Sequence, residues 1–149
     1  MQKPLYDIIA FDLDSPLVTV EGLDELARKN GHHQQIQLIT QKAMNGLIPF
    51  EQSLHQKLDL LRPSQSDLVE LGLTYINKLT PGAAKIVNIL KLLKKQVIII
   101  TGNFHPAVSV LAKHLRIKHF ICNKIIFDNN GNYRSLDPHS PLIKPGAKG

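Results

Sequence analysis

The feature that most constrains the fold is an apolar run at residues 5–11, LYDIIAF, which ends directly at an acidic turn. Its IIAF segment lacks the apolar–polar alternation of a strand with one face in water, so it predicts a strand buried on both faces. A second such run, QVIII, follows at residues 96–100. Strands of this kind are typical of parallel sheets, and the two runs therefore predict an α/β fold.

The residues between the two runs show helical periodicity alone. Apolar positions recur at three- and four-residue intervals over residues 22–80, and prolines separate the segments. The alternation of helix and strand resumes after residue 82, and residues 124–136 predict a hairpin with its turn at residues 129–131.

These boundaries divide the chain into two predicted units. Residues 1–20 and 81–149 predict a Rossmann-like core built on the parallel sheet. Residues 21–80 predict a helical cap inserted after the first strand.

Composition narrows the functional classes. The chain has 149 residues, a net charge of +6 and one cysteine, Cys122, which excludes an internal disulfide and fits a reducing compartment. No apolar run approaches the roughly 18 residues of a membrane span, and no signal peptide is recognisable, so we expect a cytoplasmic protein without a membrane partner. The lysines form no basic block with interleaved aromatics, so we expect no nucleic-acid partner. A basic balance also suits a phosphorylated small substrate.

Two carboxylates, Asp12 and Asp14, follow the first predicted strand directly. Ligands of open α/β sheets bind at the carboxyl ends of the strands, so these side chains could point into one crevice. One carboxylate could then attack phosphorus while the other moves the proton. The alternative interpretation is a solvated acidic turn.

Thr101 and Gly102 follow the second predicted strand in the same way. A hydroxyl group and free amides at a strand-to-helix junction can hold phosphate oxygens, although Thr101 could instead be a helix N-cap. Lys148, near the end of the chain, could neutralise a phosphate, or it could be an ordinary polar residue of the tail.

Six segments resemble, in order and at similar spacing, the phosphoserine phosphatases of the haloacid dehalogenase (HAD) superfamily. The first, FDLDSPLVTVEGLDELA, resembles that family's F-D-x-D-S-T followed by E-G-I-D-E-L-A, and IITGNF resembles its I-S-G-G-F. The other four segments are AMNGLIPFEQSL, LTPGAAKIVNILK, FDNNGNY and PGAKG. The resemblance covers about residues 5–149 and implies a HAD core with an inserted helical cap.

The resemblance also implies a role for each matching residue. Asp12 would be the nucleophile that forms an aspartyl-phosphate, and Asp14 would protonate the leaving serine oxygen and then activate water. Asp12 and the backbone carbonyl of Asp14 would hold Mg²⁺, which prefers oxygen ligands. Thr101 and Gly102 would bind the phosphoryl group of O-phosphoserine, whose charge Lys148 would neutralise.

The cap would supply the contacts that recognise the substrate. Glu21 would bind the substrate amine, Met44 and Phe50 would line the pocket, and Lys57 would stand where the family has an arginine that grips the carboxylate. Without the resemblance, Glu21 could be a surface residue, and Met44 and Phe50 could belong to the core of the cap.

Several positions depart from the family pattern. Pro16 replaces a threonine and removes an N–H near the nucleophile. Lys57 cannot form the two-pronged hydrogen bond of an arginine. Asn103 replaces a glycine, and we expect it to crowd the phosphate loop. The family also continues beyond Lys148 into a strand and a G-D-G-x-x-D motif with further Mg²⁺ ligands, which this sequence does not include.

Three hypotheses follow. The first is a Mg²⁺-dependent phosphatase that converts O-phosphoserine to serine, the last step of serine biosynthesis. The second is a truncated, inactive relative that acts as a binder or has no function. The third keeps the chemistry and changes the substrate. Because the family's additional strand would lie beside the first strand, we also expect an exposed sheet edge, poor stability and self-association, including a homodimer.

Overall fold

The computed structural model describes residues 6–143. The core strands and helices are β1 (Ile8–Phe11), α5 (Ala83–Leu92), β2 (Gln96–Phe104), α6 (His105–His114) and β3 (His119–Asn123). The inserted helices are α1 (Gly22–Lys29), α2 (His33–Met44), α3 (Phe50–Leu61) and α4 (Gln65–Asn77). A hairpin of β4 (Ile125–Phe127) and β5 (Tyr133–Leu136) follows.

The central sheet contains β1, β2 and β3 in that order, and both pairings are parallel. This arrangement confirms the predicted α/β fold with a parallel sheet and inserted helices. The second predicted strand is longer than expected, because β2 continues through Phe104 and shifts register between Ile100 and Phe104. Thr101 and Gly102 therefore lie within the carboxyl end of β2.

The two faces of this sheet differ in exposure. One face, here called the covered face, packs against α5 and α6 and includes Ile9, Phe11, Val97, Ile99, Phe120 and Cys122. The opposite face, here called the open face, includes Ile8, Ala10, Ile98, Ile100 and Ile121. Ile8 is 55% exposed, so the prediction that the first strand is buried on both faces is wrong for the described residues.

The four-helix insertion is joined to the core where it begins and where it ends. The Thr19 amide donates to the Lys78 carbonyl at 2.9 Å, and the Thr80 amide donates to the Leu17 carbonyl at 2.9 Å. These bonds bring the segment that enters the insertion beside the segment that leaves it. The division into a cap at residues 21–80 and a core stays a prediction.

Helix α4 packs closely on the core helix α6. A capping box of Ser64 and Asp67 begins α4, and these side chains satisfy backbone amides of the first turn. A Cβ atom added at Gly72 would lie 2.6 Å from the Val110 Cβ atom and 2.8 Å from the Ala107 carbonyl oxygen. Only glycine permits this approach, so α4 holds Tyr75 at a fixed place above β2.

The hairpin turns as predicted, with Gly131 at a φ of 80°. Asp128 accepts hydrogen bonds from the amides of Asn130 and Asn132 at 2.9 Å each, which is the role expected of a turn residue. Cys122 is buried, as predicted. The structure describes no helix that is long and apolar enough to span a bilayer.

Candidate active site

The first part of the site is the acidic turn after β1. Asp12 Oδ1 accepts a hydrogen bond of 2.7 Å from the Leu13 amide. Leu13, between the two carboxylates, and Leu17, after them, are fully buried, which anchors the turn to the core. Ser15 occupies the left-handed region at a φ of 74°, where a non-glycine residue is strained. Strain of this kind persists where the surrounding packing imposes it and often marks functional turns.

Asp14 is partly buried, and its acidity is perturbed. Burial raises the pKa of Asp14 to about 7, against the opposing effect of a hydrogen bond from Asn103, and the nearby Glu21 and Asp12 carboxyls raise it further. When the carboxyls of Asp14 and Glu21 are both ionised, no donor among residues 6–143 reaches the buried Asp14 Oδ1 atom. The Asp14 carboxyl can therefore hold and release a proton near neutral pH.

The second part of the site is the carboxyl end of β2. Thr101 is 1% exposed, and its Oγ1 atom accepts hydrogen bonds of 3.2 Å from both the backbone N–H and the side-chain amide of Asn103. The alternative that Thr101 is a helix N-cap is wrong, because α6 begins after Phe104. A Cβ atom added at Gly102 would meet open space, so the backbone here faces a free volume.

The acidic turn, the end of β2 and the inserted helices enclose one cavity of about 810 Å³. Its wall includes all eight of the predicted site residues that lie among the described residues: Asp12, Asp14, Glu21, Met44, Phe50, Lys57, Thr101 and Gly102. Four of them come from the core and four from the insertion. Lys148 lies outside the described residues, so its predicted role stays a prediction.

The insertion contributes both charge and apolar surface to this cavity. Burial lowers the pKa of Lys57, while the facing carboxylates Asp24 and Glu21 oppose that shift. Met44 is 82% exposed and Phe50 is 47% exposed, so the alternative that they form the core of the cap is wrong. Their side chains instead contribute apolar surface to the wall of the cavity.

Beyond the predicted residues, the cavity wall includes four polar ones: Asp24, Thr40, Ser53 and Asn103. Of these, only Asn103 was noted from the sequence, as a residue expected to crowd the phosphate loop. Asp24 lines the wall and faces Lys57, and the side chain of Asn103, a residue of β2, accepts a hydrogen bond from Tyr75 of α4. The signal for Asn103 was available in the sequence, because residues two apart on a strand share a face and Thr101 is two positions earlier. Asp24 had no comparable signal, because its orientation depends on how α1 packs.

Residues 6–143 place carboxylates at the cavity but do not form a complete set of metal ligands from side chains alone. These residues contain no cluster of three or more histidine, cysteine, aspartate or glutamate side chains that could hold a metal ion alone. The carboxylates that line the cavity are those of Asp12, Asp14, Glu21 and Asp24, and all of them offer oxygen ligands. This donor set suits a hard cation such as Mg²⁺, which is commonly held by one or two carboxylates while waters and phosphate oxygens complete its coordination.

A family model described as haloacid dehalogenase-like hydrolase matches residues 6–144. The chain belongs to this family. A phosphoserine phosphatase from Bos taurus is 34% identical over 145 residues, covering 96% of this chain and 64% of the bovine protein. The chain thus spans a little under two thirds of the length of that relative.

Solved structures of the same fold support this assignment. A HAD family hydrolase from Salmonella enterica serovar Typhi superposes with a TM-score of 0.82 at 27% identity, covering 92% of this chain and 47% of that one. A substrate-bound phosphoserine phosphatase complex superposes with a TM-score of 0.77 at 30% identity, covering 98% of this chain and 68% of that one. The HAD fold predicted from the motifs is therefore confirmed.

Proposed function

We propose that this HAD protein is a phosphomonoester hydrolase that acts on O-phosphoserine with Mg²⁺. The observation that carries the proposal is that two core carboxylates and Thr101 share one cavity with charged and apolar residues of the insertion. The similarity to phosphoserine phosphatases supports the choice of substrate. Release of serine from this substrate would be the last step of serine biosynthesis. A cytoplasmic location stays a prediction.

In the first half of the proposed reaction, the Asp12 carboxylate attacks phosphorus. The bond from phosphorus to the Asp12 oxygen forms as the bond from phosphorus to the serine oxygen breaks. Asp14, whose pKa is raised to about 7, gives its proton to the departing serine oxygen. An aspartyl-phosphate on Asp12 and free serine result.

In the second half, the ionised Asp14 takes a proton from water, and the water oxygen attacks phosphorus. The bond between phosphorus and Asp12 breaks, which releases inorganic phosphate and restores both carboxyls to their initial states. Thr101 and the Gly102 backbone would hold the phosphoryl oxygens throughout, because both line the cavity at the end of β2.

Asp12 and the backbone carbonyl of Asp14 would hold Mg²⁺. The buried Asp14 Oδ1 atom, which no described donor reaches when the carboxyls are ionised, favours a positive charge nearby. When bound, the ion would neutralise negative charge on the phosphoryl oxygens. Lys148 would add a second positive charge from outside the described residues.

Residues of the insertion would recognise the amino-acid part of the substrate. Glu21 would pair with the substrate ammonium group and Lys57 with its carboxylate, while Met44 and Phe50 would exclude water from the mouth of the cavity. Lysine binds a carboxylate as a point charge, without the fixed two-pronged geometry of arginine. Because this contact constrains the substrate less, phosphomonoesters other than O-phosphoserine should also be tested.

The experiment that tests the proposal is phosphate release from O-phosphoserine with Mg²⁺, comparing the unmodified chain with Asp12→Asn. We expect turnover in the unmodified chain and a loss of at least about 100-fold in the variant, because an amide cannot act as the nucleophile. Asp128→Asn, in the hairpin turn, is the matched control and should retain activity. Equal rates in Asp12→Asn and the unmodified chain would exclude the proposed nucleophile.

A second candidate is a phosphoserine-binding protein without turnover. It is favoured by the departures from the family pattern at Pro16, Lys57 and Asn103. Calorimetry combined with the phosphate-release assay distinguishes the two candidates. A binder without turnover would bind O-phosphoserine in the presence of Mg²⁺ and release no phosphate. A panel of other phosphomonoesters in the same assay tests the changed-substrate hypothesis.

A further inference from the structure

The side chain of Asn103 connects both halves of the core site to the insertion. Its Nδ2 atom donates to Asp14 Oδ2 at 2.9 Å and to Thr101 Oγ1 at 3.2 Å, and its Oδ1 atom accepts from the Tyr75 hydroxyl at 2.9 Å. Asn103 is only 6% exposed, and Tyr75 is fully buried. Buried polar groups linked in this way have few alternative partners, so the network favours one arrangement.

The network fixes which way the Asn103 amide points. Asp14, when ionised, can only accept hydrogen bonds, so it requires the amide nitrogen on its side. The amide oxygen then faces the Tyr75 hydroxyl, which can donate to it. Rotating the amide by 180° would place its oxygen against the ionised carboxylate of Asp14 and lose that hydrogen bond, although the Tyr75 and Thr101 hydroxyls could each reverse their roles.

The same network sets the direction of the Thr101 hydroxyl. Thr101 Oγ1 accepts two hydrogen bonds, both from Asn103. A hydroxyl has two acceptor sites and one hydrogen, so the remaining hydrogen must be donated elsewhere. Thr101 lines the cavity, where an oxygen of a phosphoryl group would be a suitable acceptor.

Packing around the network leaves little room for rearrangement. A Cβ atom added at Gly22 would lie 2.1 Å from the Tyr75 hydroxyl oxygen and 2.3 Å from Asn103 Oδ1. Gly22 is the first residue of α1, directly after Glu21. The start of α1 therefore packs directly against the pair that Tyr75 of α4 forms with Asn103.

We infer that Asn103 is a positioning residue that holds the Asp14 carboxyl and the Thr101 hydroxyl in reactive orientation, and that Tyr75 acts through Asn103. The inference rests on the proposed function for its kinetic consequence. Asn103 replaces a glycine of the family pattern. The inference gives this side chain a positioning role in addition to occupying space in the phosphate loop.

The kinetic test compares Asn103→Leu and Tyr75→Phe with the unmodified chain on O-phosphoserine and Mg²⁺. Leucine keeps the number and branching of the side-chain heavy atoms of asparagine and removes its hydrogen bonds. We expect kcat to fall about 10-fold to 100-fold in Asn103→Leu, with KM changed less than about 3-fold, because misplaced acid–base groups act on the chemical step. Tyr75→Phe should lower kcat by about 2- to 10-fold, the effect of one hydrogen bond.

The double variant separates positioning from packing. If Tyr75 acts through Asn103, Tyr75→Phe lowers kcat no further once Asn103→Leu is present. Independent effects that multiply in the double variant would overturn the inference, as would an unchanged kcat in Asn103→Leu. The matched controls are Asn88→Leu on the exposed face of α5 and Tyr6→Phe, and neither should change kcat.

A readout without turnover keeps the inference testable if the proposed function fails. In nuclear magnetic resonance spectra, the side-chain amide protons of Asn103 should exchange with water far more slowly than those of the exposed Asn130, and Tyr75→Phe should accelerate their exchange. Fast exchange in the unmodified chain would overturn the inference. No phosphate release together with slow exchange would overturn the proposed function and leave the positioning network supported.

Discussion

The covered face and the open face of the central sheet are built from similar aliphatic residues, yet they lie in different surroundings. Ile99 on the covered face is fully buried among the residues of the core. Its neighbours Ile98 and Ile100 on the open face are only half-buried, and Ile8 and Ile121 are exposed by 55% and 45%. The comparison shows that apolar character alone does not determine burial, since each face also needs a layer of structure above it.

The largest expected difference between the two faces is the loss of stability when an isoleucine is truncated to alanine. Ile99→Ala should lower the free energy of unfolding by about 2–5 kcal/mol, because it removes buried methylene groups and leaves a cavity. Ile98→Ala, the matched change on the open face, should cost less than about 1 kcal/mol, because the side chain is already partly hydrated. Urea denaturation of both variants measures the difference. Equal costs would mean that the open face is covered in solution.

Thiol reactivity should also distinguish the two faces, at the neighbouring positions 121 and 122 of β3. Burial raises the pKa of Cys122 to about 11, with a smaller opposing effect from Lys124, so at pH 8 the thiol stays protonated and unreactive. Ile121→Cys in a Cys122→Ala background places a thiol on the open face. It should react with a disulfide reagent on the order of 100-fold faster than native Cys122.

The reaction of each thiol with the reagent is followed by absorbance in native buffer. The rate in unfolded protein gives the upper limit for each thiol. Reactivity of native Cys122 should rise as pH approaches 11, because the thiolate forms only there. Similar rates for the two positions at pH 8 would contradict the assignment of β3 residues to opposite faces.

The smallest effect concerns association between copies. Among residues 6–143, β1 is an edge strand of the sheet and the open face bears exposed aliphatic side chains, which favours self-association. Sedimentation should show dimers or larger species at micromolar concentration, and Ile8→Lys should shift them toward monomer. Leu92→Lys on α5, where leucine is 82% exposed, is the matched control. A monomeric chain with an ordinary, cooperative melting transition would contradict this prediction.

Much of the candidate site was predictable because its residues are tied to strand ends. Asp12 and Asp14 follow β1, Thr101 lies at the end of β2, and parallel strands bring such positions to the same edge of a sheet. The contributions of Glu21, Met44, Phe50 and Lys57 depended on the motif resemblance, since helical periodicity alone does not say which side of a cap faces the core. The cavity nevertheless includes all four.

Other features could not be predicted, because they depend on contacts between distant segments. The orientation of Asn103 requires Tyr75, which is 28 residues away in sequence, and Asp14, which is 89 residues away. The close approach at Gly72 requires the surface of α6. Neither partner is visible to a local pattern of apolar and polar residues.

The sequence by itself determined the strands, the helical insertion, the hairpin turn and the chemical groups at the strand ends, because each depends on local periodicity or local turn chemistry. Tertiary structure alone decided which sheet face is covered, how deeply Asp14 is buried and which groups Asn103 joins. The physical reason is that burial and hydrogen-bond direction are set by whichever residues pack against a side chain, and here those residues come from distant parts of the chain.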